Sequence, residues 1–180
     1  NRFVVMQSGM IIDTKNQLES VKTINKIKEK IPSFFLLLAG KVADEKYKKR
    51  IDDYIKENKL EKNILFTGNL NREELRDLYK ASDVGLFPIG KQGGWLAPFE
   101  MLCAGVPIIV SEDMGAASII KEFDLGIANK NYADSLLEVY KNLKEYKKQA
   151  KKSSLFVKKN LGWDIFADKM IKAYKDAWKK

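Results

Sequence analysis

Histidine is absent from the 180 residues, and cysteine occurs once. The first absence excludes His-based acid–base chemistry, Ser-His-Asp triads and histidine metal sites together. A single cysteine, Cys103, excludes an internal disulfide. Its place on the apolar face of a short predicted helix makes it read as a small buried hydrophobe, not a reactive thiol. No apolar run is long enough to span a bilayer. Neither GxGxxG after the first predicted strand nor GxxxxGK[ST] occurs, which argues against a nicotinamide dehydrogenase and a P-loop NTPase. Asp13, Glu112 and Asp113 are too scattered for a carboxylate cage, so no metal site is expected. Signal-peptide features are not seen. The chain opens on Asn1 and runs at once into strand-like Phe3-Val4-Val5-Met6, so it reads as a piece excised from a longer protein.

What is present fits one soluble domain with a real core: 45% hydrophobic and 32% charged residues. The net charge of +9 is carried mostly by lysine and suits anionic partners such as nucleotides, nucleic acid or an acidic membrane face. Interspersed lysine and glutamate also make ordinary solvated helix faces, and the lysine pairs 147–148, 151–152 and 158–159 in the tail read that way first. A peripheral contact with an anionic membrane is the second reading of those pairs.

Hydrophobic periodicity alternates strands and helices. Residues 3–7, Phe34 to Leu38, 63–68, 83–88, 108–111 and 126–128 read as strands. Helices are expected over 15–31, 45–58, from Asn71 with Glu74 closing a capping box, over 117–122, and from Tyr132 to the end with a break near 160–162. Phe166, Met170, Ile171, Tyr174 and Trp178 recur at helical core spacing in the last of them. This rhythm gives a single α/β domain over residues 1–180: a Rossmann-like parallel sheet of about six strands, helices on both faces, and a helical tail.

The chain is organised around Gln92-Gly93-Gly94-Trp95-Leu96-Ala97-Pro98-Phe99-Glu100-Met101-Leu102-Cys103-Ala104-Gly105-Val106-Pro107. Two glycines permit close approach of a ligand to the backbone, and Pro98 suits the first turn of a helix. Gly105 fits the helix terminus, and Pro107 forbids continuation. Free N–H groups opening onto a helix start make an anion site. Glu100, expected in the first turn, could accept from ligand hydroxyls. Ligands of open parallel sheets sit beyond the carboxyl ends of the strands. Five glycine-bearing segments lie there: Gln7-Ser8-Gly9, Gly40-Lys41, Gly68-Asn69, Pro88 to Trp95, and Ser111 to Gly115.

These residues and their order resemble the C-terminal, donor-binding domain of GT-B-fold glycosyltransferases, specifically the retaining enzymes of family 4. The family pattern E-G-F-G-L-P-x-x-E-A-x-A-x-G-x-P-V-I is matched by residues 92–109, and the likeness covers nearly the whole chain. Supporting matches are Phe66-Thr67-Gly68, Leu78-Tyr79-Lys80-Ala81-Ser82-Asp83, Leu37-Leu38-Ala39-Gly40 and Gly162-Trp163. The resemblance implies a metal-independent transfer of sugar from a nucleotide-sugar to an acceptor, with retention of configuration and no cofactor. Glu100 would bind the ribose hydroxyls, with the helix start favouring its ionised form. Gln92 would face the donor sugar. Gly93, Gly94, Trp95 and Leu96 would meet the diphosphate and sugar. Lys15 would neutralise the leaving diphosphate, beside Gly9, and Lys41 would join the donor-binding rim. The acceptor and any base would lie in an N-terminal half, so this domain alone would bind nucleotide and catalyse nothing. A cytoplasmic location is implied, with any membrane contact peripheral at its inner face.

The chain departs from the family pattern at defined points. Gln92 replaces the first glutamate of the family pair, Met10 stands for a phosphate-binding arginine, and Gly93-Gly94-Trp95 replaces Gly-Phe-Gly. Gly115-Ala116 stands for a later glycine pair, without the glutamate that usually follows. These departures keep a second reading open: a degenerate glycosyltransferase-like scaffold or partner subunit without catalysis. A nucleic-acid-binding domain would interleave aromatics with lysine on an exposed sheet face. The aromatics fall instead at helical core spacing, so no nucleic-acid partner is expected.

Overall fold

The structure is a computed structural model that describes residues 2–90 and 96–178. Six strands form one parallel sheet: β1 (Phe3–Ser8), β2 (Phe34–Ala39), β3 (Ile64–Gly68), β4 (Val84–Phe87), β5 (Ile108–Val110) and β6 (Ile127–Ala128), in the order β3-β2-β1-β4-β5-β6. The helices are α1 (Gln17–Ile27), α2 (Glu45–Glu57), α3 (Arg72–Ala81), α4 (Leu96–Cys103), α5 (Ala117–Glu122), α6 (Tyr132–Lys141), α7 (Leu143–Asn160) and α8 (Trp163–Trp178). This is the expected doubly wound, Rossmann-like arrangement. Its direction of winding reverses between β1 and β4, and the crevice outside their carboxyl ends is where such sheets bind ligands.

Alternation along the strands divides the core in two. Val5, Leu36, Leu38, Leu86 and Ile109 pack on one face against Val21 and Ile24 of α1, Ile51 of α2 and Val139 of α6. Met6, Leu37, Phe87, Ile108 and Val110 pack on the other against Tyr79 of α3, Met101 and Leu102 of α4, Ile120 of α5 and Val157 of α7. The ladder from Phe3 opposite Phe34 to Ser8 opposite Ala39 fixes the register of β1 against β2. A one-residue slip would exchange the two apolar sets between faces.

The ends of several elements follow their local chemistry. Asn71 caps α3 by accepting from the Glu73 and Glu74 amides, and the Glu74 carboxylate accepts from the Asn71 amide, completing the predicted capping box. α4 closes as a Schellman motif: the Gly105 amide donates to the Leu102 carbonyl and the Val106 amide to the Met101 carbonyl. Gly105 has φ +78°, a conformation that L side chains rarely adopt.

Two helical expectations change, besides a further break at Asn142, between α6 and α7, in the helix expected from Tyr132 to the break near 160–162. The helix predicted over 15–31 begins at Gln17. Lys15 lies instead in a separate 3-10 turn, Asp13–Lys15, because left-handed Asn16 (φ 55°) breaks the chain between them. α1 ends at Ile27, although Ile31 beyond it is still fully buried. The second change concerns α8. Its apolar residues keep helical spacing, yet no residue of the helix is buried. Phe166, Met170, Ile171, Tyr174 and Trp178 are all exposed, Trp178 at 92%. The aromatics of the tail are therefore not core residues of this domain, contrary to the spacing argument. They stand on a helix and not on an exposed sheet face.

Candidate functional site

At the switch point, backbone approaches backbone closely. The Gly9 amide donates to the Ala39 carbonyl at 2.8 Å, the Gly40 amide to Gly68 at 3.0 Å, and the Ile11 amide to Lys41 at 2.9 Å. A side chain on Gly40 would place its Cβ 2.1 Å from the Gly9 carbonyl oxygen, so only glycine fits there. These crossings form the floor of a cleft of about 250 Å³, walled by Ser8, Met10, Lys41, Asn69, Leu75, Tyr79 and Glu100.

Glu100 enters from α4. It is the fifth residue of that helix and so lies past its first turn, where it was expected. The helix dipole falls off within one turn and reaches it only weakly. Its immediate support is a side chain: the Tyr79 hydroxyl donates to Glu100 Oε2 at 3.1 Å. Glu100 is itself exposed and also borders a second, wider groove of about 820 Å³ between α3, α4 and the α7–α8 junction. Arg72, Arg76, Lys80 and Lys158 line that groove beside Phe99, Val157 and Trp163.

The other expected residues separate into three groups. Gly9 and Lys41 line the cleft with Glu100. Lys15 stands next to it, its aliphatic stem 3.9 Å from where a Gly9 Cβ would lie. The turn carrying Lys15 is pinned from both sides: Gln7 Nε2 donates to the Lys15 carbonyl and Asn16 Nδ2 to the Pro88 carbonyl beyond β4. Among the described residues the Lys15 ammonium has no ion-pair partner. Leu96 is exposed on the wider groove and not on the cleft. Gln92, Gly93, Gly94 and Trp95 lie outside the described residues.

Of the five predicted rim segments, three supply the cleft, through Ser8–Gly9, Gly40–Lys41 and Asn69. Ser111 to Gly115 does not line it; Glu112 and Asp113 pair instead with Lys130. Cys103 is half-buried rather than buried, and burial pushes its thiol up from the ordinary range. Among the described residues no group of three or more Cys, Asp or Glu side chains is arranged to hold a metal ion. Nor is any helix among them long and apolar enough to cross a membrane. Ser8 lies in a predicted rim segment and Tyr79 in a matched segment, but neither side chain was given a role from the sequence. The Tyr79 ring belongs to the apolar stripe of α3, and that pattern hides where its hydroxyl points.

Residues 1–159 match the family model of the glycosyl transferases group 1. The chain belongs to that family. Among solved structures, HepE from Anabaena in complex with UDP and glucose superposes with a TM-score of 0.89 at 15% identity, over 98% of this chain and 49% of that one. Sucrose-phosphate synthase from Thermosynechococcus elongatus gives 0.86 at 20% identity, over 99% of this chain and 46% of that one. The C-terminal domain of LpcC from Francisella tularensis, a group 1 protein, gives 0.80 at 21% identity, over 89% and 87%. These likenesses establish the fold, that of a GT-B C-terminal domain. This group 1 chain spans about half the length of the first two structures and nearly all of the isolated LpcC domain. No curated protein matches it in sequence.

Proposed function

We propose that this chain is the donor-binding half of a retaining, metal-independent family 4 glycosyltransferase, taking a sugar from a nucleoside diphosphate to an acceptor. The observation that carries the reading is Glu100: a carboxylate held at the mouth of a cleft at the strand switch point, in a group 1 chain. It accepts from the ribose hydroxyls. The Lys15 ammonium and the amides around 93–96 stabilise the departing diphosphate, electrostatic help of the kind an oxyanion hole gives. Gln92 bonds the sugar hydroxyls without charge. Complexes of the neighbour HepE with UDP-glucose support a nucleotide-sugar as the class of donor.

The acceptor and the rest of the catalytic machinery belong to a second, N-terminal half. The exposed apolar face of α8 supports this, since a helix so patterned buries that face against something. This half alone binds nucleotide and transfers nothing. We place the enzyme in the cytoplasm, with any membrane contact peripheral through its lysine-rich tail.

Thermal unfolding with UDP, GDP and ADP tests the reading. At least one should raise the melting midpoint, following mass action on the folded state. Met10 favours the scaffold reading, because it lines the cleft where the resemblance places an arginine. A scaffold predicts no shift with any of the three.

A further inference from the structure

Tyr79 is 4% exposed in the last turn of α3, among Met6, Phe87, Met101 and Leu102. The ring packs among these, and the hydroxyl, on the wall of the cleft but nearly sealed from water, needs partners. It has two: Ser8 Oγ at 2.8 Å and Glu100 Oε2 at 3.1 Å. The direction of both bonds follows from counting protons. A phenol has one, and an ionised carboxylate can only accept, so the Tyr79 proton lies toward Glu100. Ser8 must then donate to the Tyr79 oxygen. The two bonds form one directed chain from the end of β1, through α3, to α4. Burial, together with the charge of Glu100, pushes the Tyr79 ionisation far up, so the phenol keeps its proton.

Glu100 gains from this what its exposed position does not provide. A glutamate on an open helix surface samples several rotamers and must give them up when it binds. One oxygen of Glu100 is already held, and the carboxylate has about four acceptor sites to share.

We propose that Tyr79, held by Ser8, is a positioning residue that aims the Glu100 carboxylate at the vicinal hydroxyls of a ribose. The role rests on the functional reading above. It differs from space-filling, because only the hydroxyl is needed and only ligands that offer ribose hydroxyls feel it.

The test compares the best-bound of UDP, GDP and ADP with its dideoxyribose counterpart, by calorimetry on wild type, Tyr79→Phe, Glu100→Ala and the double variant. Tyr79→Phe keeps the ring and the packing. It should weaken the ribonucleotide about tenfold, the scale of a hydrogen bond to a charged group, and the dideoxy ligand by less than about twofold. In the Glu100→Ala background it should do nothing further, the non-additivity expected of groups acting as a unit. Equal losses for both ligands, or no loss, overturn the positioning role. If Glu100→Ala removes the preference for ribose and Tyr79→Phe leaves it intact, the positioning role fails and the functional reading stands. If wild type binds none of the nucleotides, or shows no preference for ribose, both fail. Should Tyr79→Phe not fold, Ser8→Ala carries the test. It should narrow the ribose preference about twofold to threefold, and an unchanged preference contradicts the proposal.

Discussion

α4 and α8 are opposite cases of helix patterning. α4 has only eight residues and almost no polar face, yet Pro98, Phe99, Met101 and Leu102 are all buried. Its single charged residue, Glu100, stands at the cleft. α8 has sixteen residues and a continuous apolar stripe, yet buries none of them. The helix with the weaker periodicity is built into the domain, and the one with the clearer periodicity is not. An amphipathic pattern states that a face needs cover; it does not state that the same chain provides it. α7 marks the change, since it buries Ala150, Ser153, Ser154 and Val157, and Ser154 Oγ donates to the Cys103 carbonyl at the end of α4.

This contrast can be tested by substitution. Leu102→Ala, at a fully buried position of α4, should cost about 3 kcal/mol and lower the melting midpoint by roughly 8 °C. A small loss there would mean that α4 is not anchored as described. Gly105→Ala forces a side chain into φ +78° at the α4 terminus and should cost about 1–2 kcal/mol by chemical denaturation. Tyr174→Ser on α8 should change the stability of the 180-residue chain by less than about 0.5 kcal/mol. A loss above 1 kcal/mol would show α8 packed within this domain and remove its support for a second half. With that second half present, the same substitution should become the costlier one.

The fold was legible because its signals are strong and local. Short continuous apolar runs closed by a glycine, such as Phe34 to Leu38 before Gly40, mark strands covered on both faces, and Asn71 with Glu74 marks a helix start by side-chain chemistry alone. The cleft was legible in part. Gly9 and Gly40 announce close backbone approach, and Glu100 announces a carboxylate near a ligand rim. Tyr79 was not legible, since a stripe position in a helix says where the ring goes and not where the hydroxyl points. Ser111 to Gly115 was misplaced for a related reason. A glycine after a strand marks a turn, and only the strand order shows that β5 ends away from the switch point. α8 was misread because burial depends on a partner surface that periodicity does not contain.

Glu100 is proposed to recognise the ribose of a nucleoside diphosphate. Calorimetric titration of Glu100→Ala against wild type, with the best-bound of UDP, GDP and ADP, tests it most directly. The substitution removes an exposed carboxylate that accepts from the Tyr79 hydroxyl, and Ser8 Oγ can accept in its place, so the melting midpoint without ligand should fall by no more than about 4 °C. Nucleotide binding should be lost, by about a hundredfold or beyond detection, as expected when two hydrogen bonds to a charged group are removed. An unchanged affinity would contradict it.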